Sequence, residues 1–432
     1  MDKIHEKILK TRLTRPIRLT IMILLVSSFF VISPILIAYS SGYRYDFVKH
    51  KIKQTGILNV DVLPKEAQVF LNGAELAQKI PFNLSLYPDT YLLTIKKDGY
   101  KTWGKNISVN SKQTTYINYF SLLKDGLPMF TELSNVQDII GSHNSDNILL
   151  LTLAPNDKYN IIYFDIKNNT TKTLENNTDI IDYSVSPFDN VVYIIKNENG
   201  QKKLVLYDLN KPENNQAVDI DTSTNTVQWK NENNKPLSTT KQNQIITIEK
   251  NGTTKNLTST TTNKWYVEDN ENVWFYDENT IFDNKITYHL QNKISEIISL
   301  NKNRILTKTL DGFLVYDLQT NLETKINGKN LFWNETNQDW IVYSDWDITT
   351  IKEDGTINLQ YRTGEKINTL QLLDEGRIYI LQTENEIKAI DIDQYLQFPI
   401  LKTTENKIYI NKKYRALFYT TGKEHKLYRL DL

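Results

Sequence analysis

Hydrophobic residues follow three different patterns along the chain, and the first is an uncharged run from Leu19 to Tyr39. These 21 residues would form a helix of about 31 Å, enough to cross a hydrocarbon core of about 30 Å. Pro34 lies inside the run and should kink the helix, which membrane helices tolerate. The run therefore predicts a transmembrane anchor helix that holds the protein in a lipid bilayer.

Charges on either side of the run predict its orientation. Residues 1–18 carry six Lys or Arg and residues 40–54 carry four, so the N-terminus is expected in the cytoplasm. Tyr39, Tyr43 and Tyr45 would form an aromatic belt at the outer end. This predicts a single-pass protein of the cell membrane, with a cytoplasmic basic tail at 1–18 and residues 40–432 outside the cytoplasm, beginning with a juxtamembrane linker at 40–54.

A cleaved signal peptide is the alternative for the same segment. Ala38-Tyr39-Ser40 has the small residues of a cleavage site, but the apolar run is longer than the usual core of about 7–15 residues. An uncleaved anchor is favoured, and both interpretations send residues 55–432 out of the cytoplasm.

The second pattern consists of short apolar strands separated by turns between residues 55 and 123. Asn72-Gly73 lies between two short apolar runs, which is a strong hairpin signal, and Asp98-Gly99 supplies a second turn. A further strand is expected near Thr115–Leu123. Five to seven strands in so short a segment predict a small β-sandwich.

This segment resembles the PEGA domain family. The matching stretches are Gly56-Ile57-Leu58-Asn59-Val60, Pro64-Lys65-Glu66-Ala67-Gln68-Val69 with Gly73, Pro81, Leu86-Tyr87-Pro88-Asp89-Thr90-Tyr91, and Gly99-Tyr100 with Trp103. Glu66 and Asp89 replace two glycines of the family pattern, and Asp tolerates the left-handed backbone that glycine favours. The resemblance implies a surface-exposed β module of bacterial and archaeal envelope proteins and brings no catalytic residues.

The third pattern is a unit that recurs about eight times over residues 127–432. An apolar strand ends in an acidic residue, and a polar turn and a Thr-rich strand follow, as in Tyr159–Asp165 and Thr171–Leu174. Units near 40 residues with four strands each are typical of a β-propeller. They resemble units of TolB-related and WD-repeat propellers, most clearly at Ser184-Val185-Ser186-Pro187. The pattern predicts an all-β propeller of about eight blades, with seven blades or a pair of sandwiches as alternatives.

The ends of this region suggest how the ring closes. The last unit stops at Leu432, directly after its third strand. Met129–Leu133, which precedes the first complete unit, is predicted to supply the missing fourth strand.

Composition narrows the chemistry. Lys plus Arg and Asp plus Glu both number 51, so the balanced charge argues against nucleic acid as a partner. Cysteine is absent and five histidines are scattered, which leaves no predicted catalytic, metal or cofactor site. The acidic pairs Asp219/Asp221, Asp345/Asp347 and Asp391/Asp393 are interpreted as turn residues.

Tryptophan supplies the candidate ligand contacts. Core packing is the default role of such large side chains, but exposed rings near a propeller channel could stack on sugars. The candidates for stacking are Trp229, Trp265, Trp340 and Trp346. The expected function is non-enzymatic: a membrane-anchored binding or scaffold protein of the cell envelope that presents a propeller to a protein or glycan. A polysaccharide-acting enzyme that uses channel carboxylates is the alternative.

Overall fold

The uncharged run near the N-terminus forms one helix, Arg15–Ser40. It begins four residues before the predicted span and ends one residue after it, and Pro34 lies inside it. None of its residues is buried by the rest of the chain. Within the described part of the chain it is the one helix long and apolar enough to cross a membrane, as a single-pass anchor or a signal sequence would.

The computed structural model describes residues 15–46, 50–221, 226–230, 237–283, 285–301, 303–374, 377–392, 395–402 and 407–432. Most of the predicted cytoplasmic tail and Asp393 lie outside these ranges. The chain divides into two compact units, which meet between Gly126 and Leu127.

The segment predicted as a linker contains a two-stranded antiparallel sheet. Its strands are Tyr43–Asp46 and Lys51–Gln54. Gly42, at φ 83°, turns the chain after the helix, and its carbonyl accepts hydrogen bonds from the Thr55 N–H and hydroxyl at 2.8 and 2.9 Å. The chain here is therefore a hairpin fixed at its base.

A seven-stranded sandwich follows the hairpin in the same unit. One sheet contains, in spatial order, Phe82–Leu86, Gly56–Leu63 and Thr114–Ser121. The other contains Ala74–Glu75, Gln68–Leu71, Asp89–Lys96 and Trp103–Val109. Alternate residues are buried in each sheet, as the period of a strand requires.

The two predicted turns of the sandwich are present. Asn72 and Gly73, at φ 49° and 84°, join two paired strands in the tight geometry that favours Asn-Gly. Gly99 has φ 78°, but the strand after it begins at Trp103 and not at Tyr100. The reason is that Tyr100 pairs with Lys124 in an isolated bridge.

Residues 127–432 form eight blades of four antiparallel strands, counted over the described residues. Blades 1 and 2 share the long strand Thr170–Val185, whose first part pairs in blade 1 and whose second part pairs in blade 2. The other strands of blade 1 are Val136–Ile140, Asn147–Leu153 and Tyr159–Asp165. Those of blade 2 are Val191–Glu198, Gln201–Asp208 and Gln216–Asp219.

Blades 3, 4 and 5 are consecutive four-stranded meanders. Blade 3 comprises Gln228–Trp229, Leu237–Lys241, Gln244–Ile248 and Thr254–Ser259. Blade 4, compressed as its sequence indicates, comprises Trp265–Val267, Val273–Tyr276, Thr280–Phe282 and Thr287–His289. Blade 5 comprises Glu296–Asn301, Arg304–Lys308, Gly312–Asp317 and Glu323–Asn327.

The last three blades complete the ring. Blade 6 comprises Asn330–Asn334, Asp339–Tyr343, Asp347–Lys352 and Ile357–Arg362. Blade 7 comprises Thr369–Asp374, Ile378–Gln382, Glu386–Asp391 and Leu396–Lys402. Blade 8 takes Ile408–Asn411, Ala416–Thr421 and Lys426–Asp431 from the C-terminus and Met129–Phe130 from the start of the region. Short 3-10 turns lie at Pro155–Asp157 and Pro212–Asn214.

Ring closure occurs where the sequence predicts it. Met129 pairs with Arg429 and Phe130 with Tyr428, so the first strand of the region becomes the fourth strand of the last blade. Phe164 of blade 1 packs edge-on against Phe418 of blade 8, at 5.7 Å between ring centroids. The blades therefore form a β-propeller whose two ends are held in one sheet.

Glutamine side chains join the first strands of two neighbouring pairs of blades. The Gln371 amide donates to the Ile408 carbonyl at 2.7 Å and accepts from the Ile410 N–H at 2.6 Å. Gln228 makes the same two bonds with the N–H and carbonyl of Val267. Each glutamine amide thus donates to a backbone carbonyl and accepts from a backbone N–H of the next blade, as a paired strand would.

Candidate functional site

An aromatic contact across the ring defines the candidate site. Phe188, in the turn before the second strand of blade 2, lies 6.1 Å from Trp333 and 6.4 Å from Trp340 of blade 6. The two indoles are 5.2 Å apart in an edge-to-face arrangement. Blades 2 and 6 are opposite each other in a ring of eight, so these three rings bridge its centre.

The turn that carries Phe188 is held by local bonds. The Ser186 hydroxyl accepts from the N–H groups of Phe188 and Asp189 at 3.2 Å each. The Asp189 carboxylate pairs with Lys250 of blade 3. The ring of Phe188 is therefore presented from a fixed turn.

A cavity of about 210 Å³ lies beside this aromatic bridge. Blades 2 to 6 contribute its lining, which contains aromatic, aliphatic and polar side chains. Its lining includes Phe188, Trp229, Asp269, Asn301, Trp333, Gln338, Trp340, Lys352 and Glu353. Convergent polar groups within an apolar wall are the usual composition of a ligand pocket.

Trp229 is fixed by two contacts at the edge of the cavity. Its indole N–H donates to the Ser184 hydroxyl at 3.2 Å, and its ring lies 5.3 Å from the ring of Tyr193. Burial and the nearby Asp182 raise the pKa of Tyr193, so its hydroxyl stays protonated and donates to Asp182 at 3.0 Å. The half-buried Trp229 therefore has one orientation.

Polar groups at the cavity are also held by backbone bonds. The Asn301 amide donates to the Glu353 carbonyl at 3.1 Å and accepts from the Arg304 N–H at 2.9 Å. The Tyr266 hydroxyl accepts from the Leu300 N–H at 3.3 Å, and burial raises the pKa of Tyr266. Blades 4, 5 and 6 are thereby joined along the cavity wall.

The four predicted stacking tryptophans occupy three different environments. Trp229 and Trp340 line the cavity. Trp265 is 2% exposed and packs with Ile245 and Val267, so its faces are covered. Trp346 is 47% exposed in the turn between two strands of blade 6 and does not line the cavity. The structure thus brings two of the four together, and stacking itself stays a prediction.

Sequence reasoning did not select Phe188, Trp333, Gln338 or Glu353. Phe188 follows the Ser186-Pro187 turn, and Trp333 is one of six tryptophans in the region. Aromatic residues next to turns could have pointed to this site, but many core residues lie at similar positions.

Each acidic pair has at least one residue with a local partner, and for Asp391 this partner is Arg377. Asp221 accepts from the N–H groups of Gln242 and Asn243 at 2.5 and 3.0 Å. Asp345 pairs with Lys329 and Asp347 with Arg362. No group of three or more His, Asp or Glu side chains within the described ranges is placed to hold a metal ion.

His143 is packed between blades 1 and 8. Its ring stacks on Tyr409 at 6.1 Å between centroids, and its Nδ1 lies 2.9 Å from the Ile410 carbonyl. Burial, and secondarily the charge of Lys412, lower the pKa of His143 to about 4, although the bond to Ile410 opposes this shift. At neutral pH the ring is therefore uncharged and serves the packing of the ring closure.

Part of the first unit matches a known domain family. Residues 55–120 match the PEGA domain family, over the strands of the sandwich. This segment is a PEGA domain. The match covers most of the segment predicted from the residue motifs and does not extend to the propeller. No curated protein sequence matches the chain.

The chain is similar to solved structures of β-propellers and of other proteins, and its sequence identity to them is low. The propeller domain of Cps50 (Swd1) from Myceliophteria thermophila is 12% identical, with a TM-score of 0.42, over 71% of this chain and all of that one. An uncharacterised protein from Listeria monocytogenes is 13% identical, with a TM-score of 0.40, over 66% of this chain and 99% of that one.

An oligogalacturonate lyase from Vibrio parahaemolyticus is 11% identical, with a TM-score of 0.40, over 68% of this chain and 91% of that one.

Proposed function

We propose that this chain is a non-enzymatic binding protein of the cell envelope, anchored by its N-terminal helix, whose propeller cavity binds a sugar unit of an envelope glycan. The observation that carries the proposal is the bridge of Phe188, Trp333 and Trp340 beside a cavity lined by polar side chains. The PEGA domain and the apolar helix Arg15–Ser40 support a location outside the cytoplasm.

Saccharide chemistry suits this lining better than a purely apolar ligand. The faces of Trp229 and Trp340 can cover the C–H side of a sugar ring. The amides of Gln338 and Asn301 and the Lys352 ammonium can exchange hydrogen bonds with its hydroxyl groups. The cavity volume of about 210 Å³ is below the range of about 300–1,000 Å³ for pockets that hold drug-sized ligands, which favours a single ring.

The test is binding of the full chain, reconstituted in nanodiscs, to an array of envelope glycans. Trp340→Ala should weaken saturable binding by at least about tenfold, because it removes one wall of the cavity. Trp346→Ala is the matched control, since that indole is exposed but lies away from the cavity. Gln338→Ala, in an exposed turn, repeats the test with little risk to folding.

Three outcomes discriminate between roles. Loss of binding in the Trp340 and Gln338 variants, with Trp346→Ala unchanged, supports the proposal. Equal loss in the Trp346 variant would place the site elsewhere on the propeller. Capture of one envelope protein by the wild-type chain, with no glycan bound, would favour an assembly partner.

A polysaccharide-acting enzyme is the second candidate, because two carboxylate residues, Asp269 and Glu353, line the same cavity. Paired carboxylates are the usual catalysts of glycoside cleavage. This candidate predicts that shorter sugars are released from a bound polysaccharide and that Glu353→Gln stops the release. The binding proposal predicts that the polysaccharide is recovered at its original length.

A further inference from the structure

A second depression, here called the outer depression, lies beside the candidate cavity on blade 6. It has a volume of about 480 Å³. Its lining consists of Asn337, Gln338, Lys352, Glu353 and Asp354. Gln338, Lys352 and Glu353 also line the cavity, so the two spaces share one polar wall. A ligand that extends beyond the cavity on this side therefore enters the outer depression.

Two turns at the same end of blade 6 form the outer depression. Asp339 pairs with Asn334 on one side and with Lys352 on the other, so the turns at 335–338 and 353–356 emerge side by side. All five lining residues belong to these turns or directly precede the second one. The shape of the outer depression is therefore set within one blade.

Contacts with blade 5 fix the second of these turns. The Asn301 amide donates to the Glu353 carbonyl at 3.1 Å. Gly355, at φ 79°, packs directly on Arg304, since a Cβ atom at this position would lie 2.4 Å from the Arg304 Nε. The wall that the two spaces share is therefore in place before a ligand binds, which lowers the ordering cost of binding.

The outer depression offers hydrogen-bonding groups that the protein itself leaves unused. Within the described ranges, the side chains of Asn337, Lys352 and Glu353 form no hydrogen bond or ion pair. The Gln338 amide uses one N–H on the Glu335 carbonyl at 2.8 Å and keeps its second N–H and its oxygen. Amides donate and accept, an ammonium donates and a carboxylate accepts, so this set suits the hydroxyl groups of a sugar.

The charges of the outer depression favour an uncharged sugar. Glu353 and Asp354 supply two carboxylates against the single ammonium of Lys352. Hydrogen bonds from Thr356, one of them from its N–H at 2.8 Å, lower the pKa of Asp354, so this carboxylate is ionised at neutral pH. A carboxylate on the ligand would meet like charge here, which disfavours a uronic acid.

We infer that the cavity and the outer depression are adjacent subsites for one glycan chain, with one sugar ring in the cavity and the next, uncharged unit in the outer depression. Trp229 and Trp340 line only the cavity, so the inner unit gains the stacking contacts. Asn337 and Asp354 line only the outer depression, where the second unit gains hydrogen bonds. This inference rests on the proposed function, because it requires that the cavity hold a sugar.

The length of the glycan tests the two subsites. The full chain in nanodiscs is titrated by calorimetry with N-acetylglucosamine and its disaccharide chitobiose, and with glucose and its disaccharide cellobiose. In the series that binds, the disaccharide should bind at least about tenfold more tightly than the monosaccharide, because its second unit adds hydrogen bonds. Equal affinity for one and two units would overturn the inference.

One substitution separates the outer subsite from the cavity. Asn337→Ala, in an exposed turn, should weaken disaccharide binding several-fold and leave monosaccharide binding unchanged. Trp340→Ala should weaken both by a similar factor. Asn385→Ala, which alters an exposed asparagine in a turn of blade 7, is the matched control and should change neither. Wild-type disaccharide affinity in the Asn337 variant would contradict the outer subsite.

An acidic pair of ligands tests the charge of the second unit. Digalacturonate should bind no more tightly than galacturonate, because its second carboxylate would lie against Glu353 and Asp354. A gain as large as that of the uncharged disaccharide would show that the outer subsite does not select uncharged units.

The inference and the proposed function fail in different ways. If monosaccharide and disaccharide bind equally and Trp340→Ala weakens both, the cavity binds a sugar and the outer subsite is wrong. If neither length of either uncharged series binds, the proposed function is wrong and the inference falls with it.

Discussion

The ring of Phe188 in blade 2 lies 6.1 Å from the indole of Trp333 in blade 6, in an edge-to-face contact. Two residues 145 positions apart in sequence thereby meet across the centre of the propeller. The three rings of this contact also line the candidate cavity and give it an aromatic wall.

Removal of this bridge should destabilise the propeller. Phe188→Ala deletes a half-buried aromatic ring, and we expect the free energy of unfolding to fall by about 1–2 kcal/mol, less than the loss of about 3–5 kcal/mol for a fully buried Phe. Chemical denaturation followed by tryptophan fluorescence measures it. Tyr395→Ala, at a 73% exposed position, is the control and should change stability by less than about 0.5 kcal/mol.

The closure of the ring can be tested by cross-linking. Met129 and Arg429 are directly paired, and Cα distances in antiparallel pairs are within the range that a disulfide spans. Met129→Cys with Arg429→Cys should therefore form a disulfide on oxidation, seen as a mobility shift, and should raise the unfolding temperature. Leu322→Cys with Arg429→Cys should not cross-link within one chain. Free thiols in the paired variant under oxidising conditions would contradict the closure.

The Gln371 amide should contribute measurably to the joint between blades 7 and 8. Gln371→Leu removes both bonds and leaves the Ile408 carbonyl and the Ile410 N–H without this partner, so a loss of about 2 kcal/mol is expected. Thermal unfolding of the full chain gives the value. Gln319→Leu alters an exposed glutamine of blade 5 and should have little effect, and a similar loss in both variants would argue against a specific role for Gln371.

His143 should make stability depend on pH. The folded protein has the lowered pKa, about 4 against an ordinary 6.5, so between these values the unfolded chain binds a proton that the folded chain does not. Stability from this group is fully present above pH 6.5 and decreases by about 3 kcal/mol as the pH falls to 4.

The measurement is denaturant unfolding at several pH values. His143→Gln should flatten the decrease between pH 6.5 and 4, because the variant no longer titrates there. His289→Gln, which alters an exposed histidine, should retain the wild-type profile. A variant profile parallel to wild type would show that other groups control the acid sensitivity.

Local patterns were sufficient for much of the fold. The uncharged run predicted the helix, and Asn72-Gly73 predicted a hairpin. The recurring strands predicted the blades, and the incomplete last unit predicted its partner near Met129. These features depend on side-chain periodicity and turn chemistry within a few residues, or on one missing strand, and so the sequence alone determined them.

The candidate site was decided by the tertiary structure. Trp265 and Trp340 look equivalent in sequence, yet one is covered by neighbouring blades and the other lines the cavity. Phe188 and Trp333 meet only because eight blades close into a ring and place blades 2 and 6 opposite each other. Which aromatic side chains face the centre depends on the number and packing of all the blades, a property of the whole ring that no local pattern contains.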